Sequence, residues 1–267
     1  MLETRLSLIA EKLEKNGNVE VKSLAKQLGV TEKTIRSDLL KMEKMGLLKK
    51  VHGGAVSTVR RAEDAYTNAA RTISLSSKEK IARLAFDYFR QFGFSGKVFF
   101  IDASTTNYEF SRYLKNTESI VITNDLLVAS NLSTSSVFVH VTGGRMTNNV
   151  NKYLVGIDAV EMINKHNGNY CFVGTSSIDI NNGLMTMNNE DIAVKRAMID
   201  HADTVVCLAD HTKFGNSSFV KFAEVKDIDI IITDEIDEDT RKRYEGLGIT
   251  IISGSDDIPA GKRTESL

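Results

Sequence analysis

The sequence predicts two folds in one chain: an N-terminal all-α winged helix-turn-helix over residues 1–58, and a C-terminal α/β unit with an open, mostly parallel sheet over residues 76–253. Three observations predict this. Three short amphipathic stretches and a Gly-Gly hairpin pattern open the chain. From Lys97 onward, short Val/Ile-rich runs alternate with helical segments. Charge divides along the same line: residues 1–60 hold 12 Lys+Arg against 7 Asp+Glu, and the remainder 22 against 28. A basic end on an acidic body suits a nucleic-acid reader joined to something that is not one.

Leu2, Leu6, Ile9 and Leu13 recur at helical spacing between charged residues, which marks a first helix that Asn16-Gly17-Asn18 stops. Val19 and Val21 start a second element, with Leu24, Ala25 and Leu28 on one stripe, and Gly29 sits where a helix end favours a left-handed residue. Thr31 is placed as an N-cap. Ile35, Leu39 and Met42 then follow on one face until Gly46. The segment at about 20–40 thus has helix-turn-helix spacing. The opposite face of its second helix carries Glu32, Lys33, Thr34, Arg36, Ser37 and Lys41, with Thr31 at its start also a candidate DNA contact. In this arrangement that face enters the major groove, and its cations and hydroxyls donate to guanine edges or phosphates. Asp38 is ill placed beside phosphate and is expected to face away or brace an arginine. Leu47–Val56 reads as two short strands about a Gly53-Gly54 turn, with Lys49, Lys50 and His52 giving a positive edge. The bland alternative is a three-helix bundle whose charged face is only solvated.

Residues 59–75 read as a polar linker, helical in part around Glu63–Ala70. Ser76-Ser77-Lys78-Glu79 has the capping-box pattern, followed by a stripe of Ile81, Leu84, Ala85 and Tyr88. Seven apolar runs follow: Val98–Ile101, Ile120–Ile122, Val137–Val141, Tyr170–Val173, Val205–Leu208, Ile228–Ile232 and Ile249–Ile252. Helices are expected at Asn107–Leu114, Tyr153–Ile163, Asp191–Ile199 and Asp239–Leu247. Such runs between helices imply parallel strands buried on both faces. Residues 254–267 read as a polar tail.

Ligands of open α/β sheets bind beyond the carboxyl ends of the strands. Asp102, Ser104, Thr105 and Thr106 follow the first run, Asn124 the second, and Gly143, Gly144 and Arg145 the third. Asp210 and Lys213 follow a later one, and Glu190 to Lys195 lie between. Hydroxyls and free N–H groups at a helix start suit a phosphate. Each loop also has a plain reading, as an N-cap, a turn or a local ion pair.

Arg5–Val56 resembles the DNA-binding domain of the DeoR family of bacterial transcriptional regulators. The matching residues are Leu24-Ala25, Val30-Thr31, Thr34-Ile35-Arg36, Asp38-Leu39, Glu43, Gly46 and His52-Gly53-Gly54-Ala55. To about residue 225 the body is similar to that family's effector domain. The match runs through Ile101–Thr106, Thr123–Leu126, Gly143-Gly144, Gly156, Phe172–Gly174, Gly183-Leu184, Lys195–Ile199, Leu208–Asp210 and Lys213–Gly215. The resemblance implies a fold like ribose-5-phosphate isomerase and glucosamine-6-phosphate deaminase. It also implies operator DNA as one partner and a phosphorylated sugar or polyol as the effector, held by the loops named above together with Lys195. A homodimer or homotetramer that represses a carbohydrate-catabolism operon is the implied whole. Three positions depart from the pattern: Ser37 stands for a second arginine, Ser104 for glycine and Met185 for threonine.

No apolar run approaches the roughly 18 residues of a membrane span, and charged residues interrupt any leader pattern, so a cytoplasmic protein is expected. Cys171 and Cys207 lie in apolar runs and read as inert core residues. The five histidines are scattered, so neither zinc nor a cofactor is expected. Two other readings remain: a sugar-phosphate isomerase or deaminase with a DNA-binding head, using Asp102, Glu190, Asp210 and Lys213 as acids and bases, and an architectural DNA-binding protein.

Overall fold

The computed structural model describes residues 5–6, 8–10, 12–13, 18–44, 48–51, 53–57, 75–147, 152–254 and 256. Leu2, Gly46, His52, residues 59–74 of the expected linker and nearly all of the tail lie outside them. Two compact units separate after Leu75.

In the first unit residues 5–6, 8–10 and 12–13 are helical, with Ile9 and Leu13 buried. Strand β1 (Asn18–Glu20), helix α1 (Val21–Leu28), helix α2 (Glu32–Lys44), strand β2 (Leu48–Val51) and strand β3 (Gly54–Ser57) follow. The apolar stripes meet: Ile9, Leu24, Ile35, Leu39, Met42 and Leu48 form one core. Gly29 takes φ 64°, the left-handed turn that lets α2 leave α1 at an angle. Thr31 caps α2 through Thr34 N–H at 3.2 Å. Two details differ from the sequence reading. Asn18–Glu20 is a strand, making a three-stranded sheet in the order β1-β3-β2; three residues are too few to show a period. Val51 pairs with Gly54, so Gly54 stands in the ladder rather than in the turn. A Cβ at Gly54 would lie 2.1 Å from Val19 O, so β1 can approach only a glycine there.

The second unit opens with α3 (Leu75–Arg90), β4 (Val98–Ile101), α4 (Thr105–Ser111), β5 (Ile120–Thr123), α5 (Leu126–Leu132), β6 (Phe138–Val141), β7 (Arg145–Met146) and β8 (Leu154–Val155). It continues with α6 (Ile157–Ile163), β9 (Gly168–Gly174), β10 (Ser177–Asp179), β11 (Gly183–Thr186), α7 (Ile192–Asp200), β12 (Ala202–Leu208), β13 (Val220–Ala223), β14 (Ile230–Thr233), α8 (Glu238–Glu245) and β15 (Thr250–Ser253). Seven strands form one sheet in the order β15-β14-β12-β9-β4-β5-β6, and every pairing in it is parallel.

Alternate residues explain the continuous apolar runs. Phe100, Cys171, Val173, Cys207 and Ile231 face a core with α6, α7 and Tyr244 of α8. Phe99, Ile101, Phe172, Val206 and Ile232 face the other core, with α3, Phe110 of α4 and Val128 of α5. Both cysteines are free and fully buried, and burial pushes their thiols up, Cys207 to about 12.

The expectation of strands covered on both faces fails at β6, where Phe138 is 67% exposed, because β6 is the last strand and pairs with β5 alone. The expected helix from Tyr153 begins only at Ile157; Leu154–Val155 pairs with Arg145–Met146 instead, and Gly156 at φ 102° makes the corner. Helix α3 begins at Leu75, so Ser76 lies inside it and the capping box is not formed. Beside the main sheet, β10-β11-β13 form a small antiparallel sheet with a bulge at Leu184/Met185.

Candidate functional site

On the first unit, α2 turns Ile35, Leu39 and Met42 inward and leaves Lys33, Arg36, Ser37 and Lys41 exposed, with Thr34 half-buried. Thr31 and Thr34 share a hydroxyl hydrogen bond of 2.9 Å. Asp38 points inward and receives Arg5 Nε at 2.5 Å, which brings the first helical segment against α2 and keeps the carboxylate off the outer face. On the hairpin Lys49 is exposed and Lys50 half-buried, and Glu43 accepts the Lys50 backbone N–H at 2.8 Å, fixing the hairpin to α2. His52 lies outside the described residues. Arg36 is not a free cation: its Nη2 donates to Glu32 Oε2 at 2.7 Å.

On the second unit, parallel pairing puts the loops after β4, β5, β9 and β12 at one edge. Asp102, directly after β4, is buried. Its carboxylate accepts hydrogen bonds from Lys195 Nζ and Asn107 Nδ2, and from Gly174 N at 3.0 Å. Lys195 reaches it from α7, also donates to Gly174 O at 3.1 Å, and lies 5.0 Å from the centre of the Phe222 ring. Burial alone would lower the Lys195 pKa, but the charges of Asp102 and Asp191 outweigh it and raise it, so the ammonium stays charged. Ser104 caps α4, accepting Asn107 N–H at 3.1 Å. Its closest neighbour explains Gly174: a Cβ there would sit 2.3 Å from Ser104 Cβ. Thr105 is half-buried and Thr106 is buried on the same helix.

Asn124 joins the β4 and β5 loops to β8. Its Oδ1 accepts Ala103 N–H, and its Nδ2 donates to Leu154 O, each at 3.1 Å. Gly144 is required by a close approach, since a Cβ would lie 2.6 Å from Val155 O, whereas Gly143 faces open space at φ 71°. Arg145 pairs with Glu190 at 2.7 Å. Asp210 caps the turn His211–Lys213 through Thr212 N–H at 3.0 Å, and Lys213 Nζ stands 3.9 Å from its carboxylate. Met185 is buried in the small sheet, where its sulfur accepts Ser218 N–H at 3.5 Å.

One residue escaped the sequence reading. Lys78 is 4% exposed on α3, near enough to feel the charges of Lys213, Asp210 and Glu109. Burial, then repulsion from Lys213, pushes its pKa down to about 8. The signal was available: Lys78, Ile81, Ala82, Ala85 and Phe89 share the buried face of α3, and a lysine on a core stripe is unusual. The capping-box reading of Ser76–Glu79 hid it.

This edge therefore holds two clusters. One is the Asp102–Lys195–Gly174 network, saturated and out of reach of solvent. The other brings Lys78 and Lys213 near Asp210 and Glu109, with the Lys78 pKa pushed down to about 8.

The DeoR-like helix-turn-helix domain matches residues 5–61, and the DeoR C terminal sensor domain matches residues 73–235. The HTH-type transcriptional regulator GlpR of Haloferax volcanii is 34% identical over 92% of this chain and 95% of its own length. The glycerol-3-phosphate regulon repressor of Escherichia coli is 26% identical over 85% of this chain and 88% of its own. Ribose 5 phosphate isomerase A from Neisseria gonorrhoeae overlaps 54% of this chain and 56% of its own at 11% identity, with a TM-score of 0.37. No helix among the described residues is long and apolar enough to cross a membrane.

Proposed function

We propose a function from one premise: the chain belongs to the DeoR family of transcriptional regulators. It represses a carbohydrate-catabolism operon in the cytoplasm, and a phosphorylated sugar or polyol releases it from its operator. Lys33, Arg36, Ser37 and Lys41 with the hairpin lysines read and hold the DNA. Lys78 and Lys213 receive the phosphoryl group, with Thr105 and Asp210 beside it. The observation that supports the effector reading is the setting of Lys78: burial and the charge of Lys213 both oppose its ammonium form, so an added anion would favour that form. The Escherichia coli relative is named as repressor of the glycerol-3-phosphate regulon, and glycerol-3-phosphate is a phosphorylated polyol of this chemical class.

The role is binding without turnover. Asp102 is 1% exposed and its carboxylate already accepts three hydrogen bonds, so it has no access to a substrate proton. Glu190 is engaged with Arg145. A homodimer or homotetramer would place several heads on spaced half-sites, as operator symmetry demands.

The test uses the full chain and a duplex it selects from a randomised pool. Phosphorylated polyols and sugars are added one at a time, and operator affinity and product formation are followed together. An effector lowers operator affinity by about 5- to 150-fold with no product. Lys213→Ala keeps its DNA affinity and loses this release. Turnover of any candidate, or undiminished release in Lys213→Ala, overturns the reading.

A further inference from the structure

Glu32 is a carboxylate at the leading end of the helix assigned to read DNA. For the helix alone it is favourable, because the N-terminus carries partial positive charge. Its exposed pair with Arg36 adds little stability. For a surface that meets phosphates, however, a negative charge at that end is a cost without an evident return.

The geometry supplies the return. Arg36 Nη2 donates to Glu32 Oε2 at 2.7 Å, with the side chains 62% and 37% exposed. Both line a groove of about 420 Å³, whose other walls include Val19, Glu20, Lys22, Val51, Gly53 and Val56. The carboxylate takes one of five guanidinium N–H donors, and the Arg36 side chain is largely exposed, so donors remain within reach of a ligand. An arginine held in this way keeps an edge free to donate to both O6 and N7 of a guanine. It also loses less side-chain freedom on docking than an untethered one.

Resting on the DNA-reading function above, we propose that Glu32 is a positioning residue for operator recognition. It sets the plane of the Arg36 guanidinium for one guanine and withholds that cation from the phosphates of other sequences. Both effects widen the gap between operator and non-operator DNA, one by improving the right contact and one by weakening the wrong ones.

The test compares the full chain with Glu32→Gln, Arg36→Ala and the double variant. The probes are the duplex enriched by the unaltered chain from a random pool and a scrambled duplex of equal composition. Glu32→Gln lowers the operator-to-scrambled affinity ratio by about tenfold, the scale of one lost base contact. On the scrambled duplex its log affinity against log salt steepens by about 0.9, one further phosphate contact. In the Arg36→Ala background, Glu32→Gln leaves the ratio unchanged within about twofold, because the residue it positions is gone. A merely structural Glu32 would lower the melting midpoint and leave ratio and slope alone. An unchanged ratio in Glu32→Gln, or an equal loss without Arg36, overturns the proposal. If the unaltered chain enriches no sequence, the DNA-reading function falls first and takes this inference with it.

Discussion

Lys78 shows how one side chain can carry two opposite pH dependences. Its folded pKa of about 8 lies below the ordinary lysine value of 10.5. Between those values the folded chain has released a proton that the unfolded chain keeps, so this residue adds stability as pH rises through that window. Anion binding has the reverse sign, because it needs the ammonium form and weakens as pH rises through about 8. A bound phosphoryl group restores the charge, so binding at pH 8 takes up roughly half a proton. Titration calorimetry in buffers of different ionisation enthalpy reads this directly, and heats independent of buffer would remove Lys78 from the site. Asp38 teaches a simpler lesson at this scale. Its awkwardness beside phosphate was legible in the sequence; that Arg5 is the arginine it braces was not, since the two are 33 positions apart.

At the scale of elements, the long amphipathic stripes and the Val/Ile runs were readable because each repeats a period several times. The strands that escaped are short: β1, β7, β8 and β10 have three residues or fewer, and β11 and β13 have four. They exist because a neighbouring strand supplies their partners, as β3 does for β1. Loop contacts between elements are equally hidden. Gly174 ends β9 where Ser104 starts α4, and a methyl group would collide with it. Gly174→Ala therefore costs about 1–3 kcal/mol of stability, and adding Ser104→Gly, which removes the colliding side chain, restores most of it. Urea unfolding of the two variants measures this; an equal loss with and without Ser104→Gly would show that the crowding lies elsewhere.

For the whole molecule, two units with separate cores predict two unfolding transitions. A phosphorylated effector should raise the midpoint of the larger unit's transition by mass action, about 2.7 kcal/mol at a hundredfold excess over Kd, while a selected operator duplex raises the other. Differential scanning calorimetry with each ligand alone checks it, and a shift of the smaller unit's transition by effector alone would mean that the sensing site was assigned to the wrong unit. By itself the sequence determined the two-part plan, the helix-turn-helix spacing, the parallel sheet and the edge on which the loops gather, because these follow from local periods and from the direction of strands. Only the tertiary structure decided which loop residues lock to one another and which come close without sequence adjacency. Asp102 with Lys195, Asn124 with Ala103 and Leu154, and Lys78 near Lys213 are set by packing between distant elements. Burial sets their charge and their access, and no window of sequence contains it.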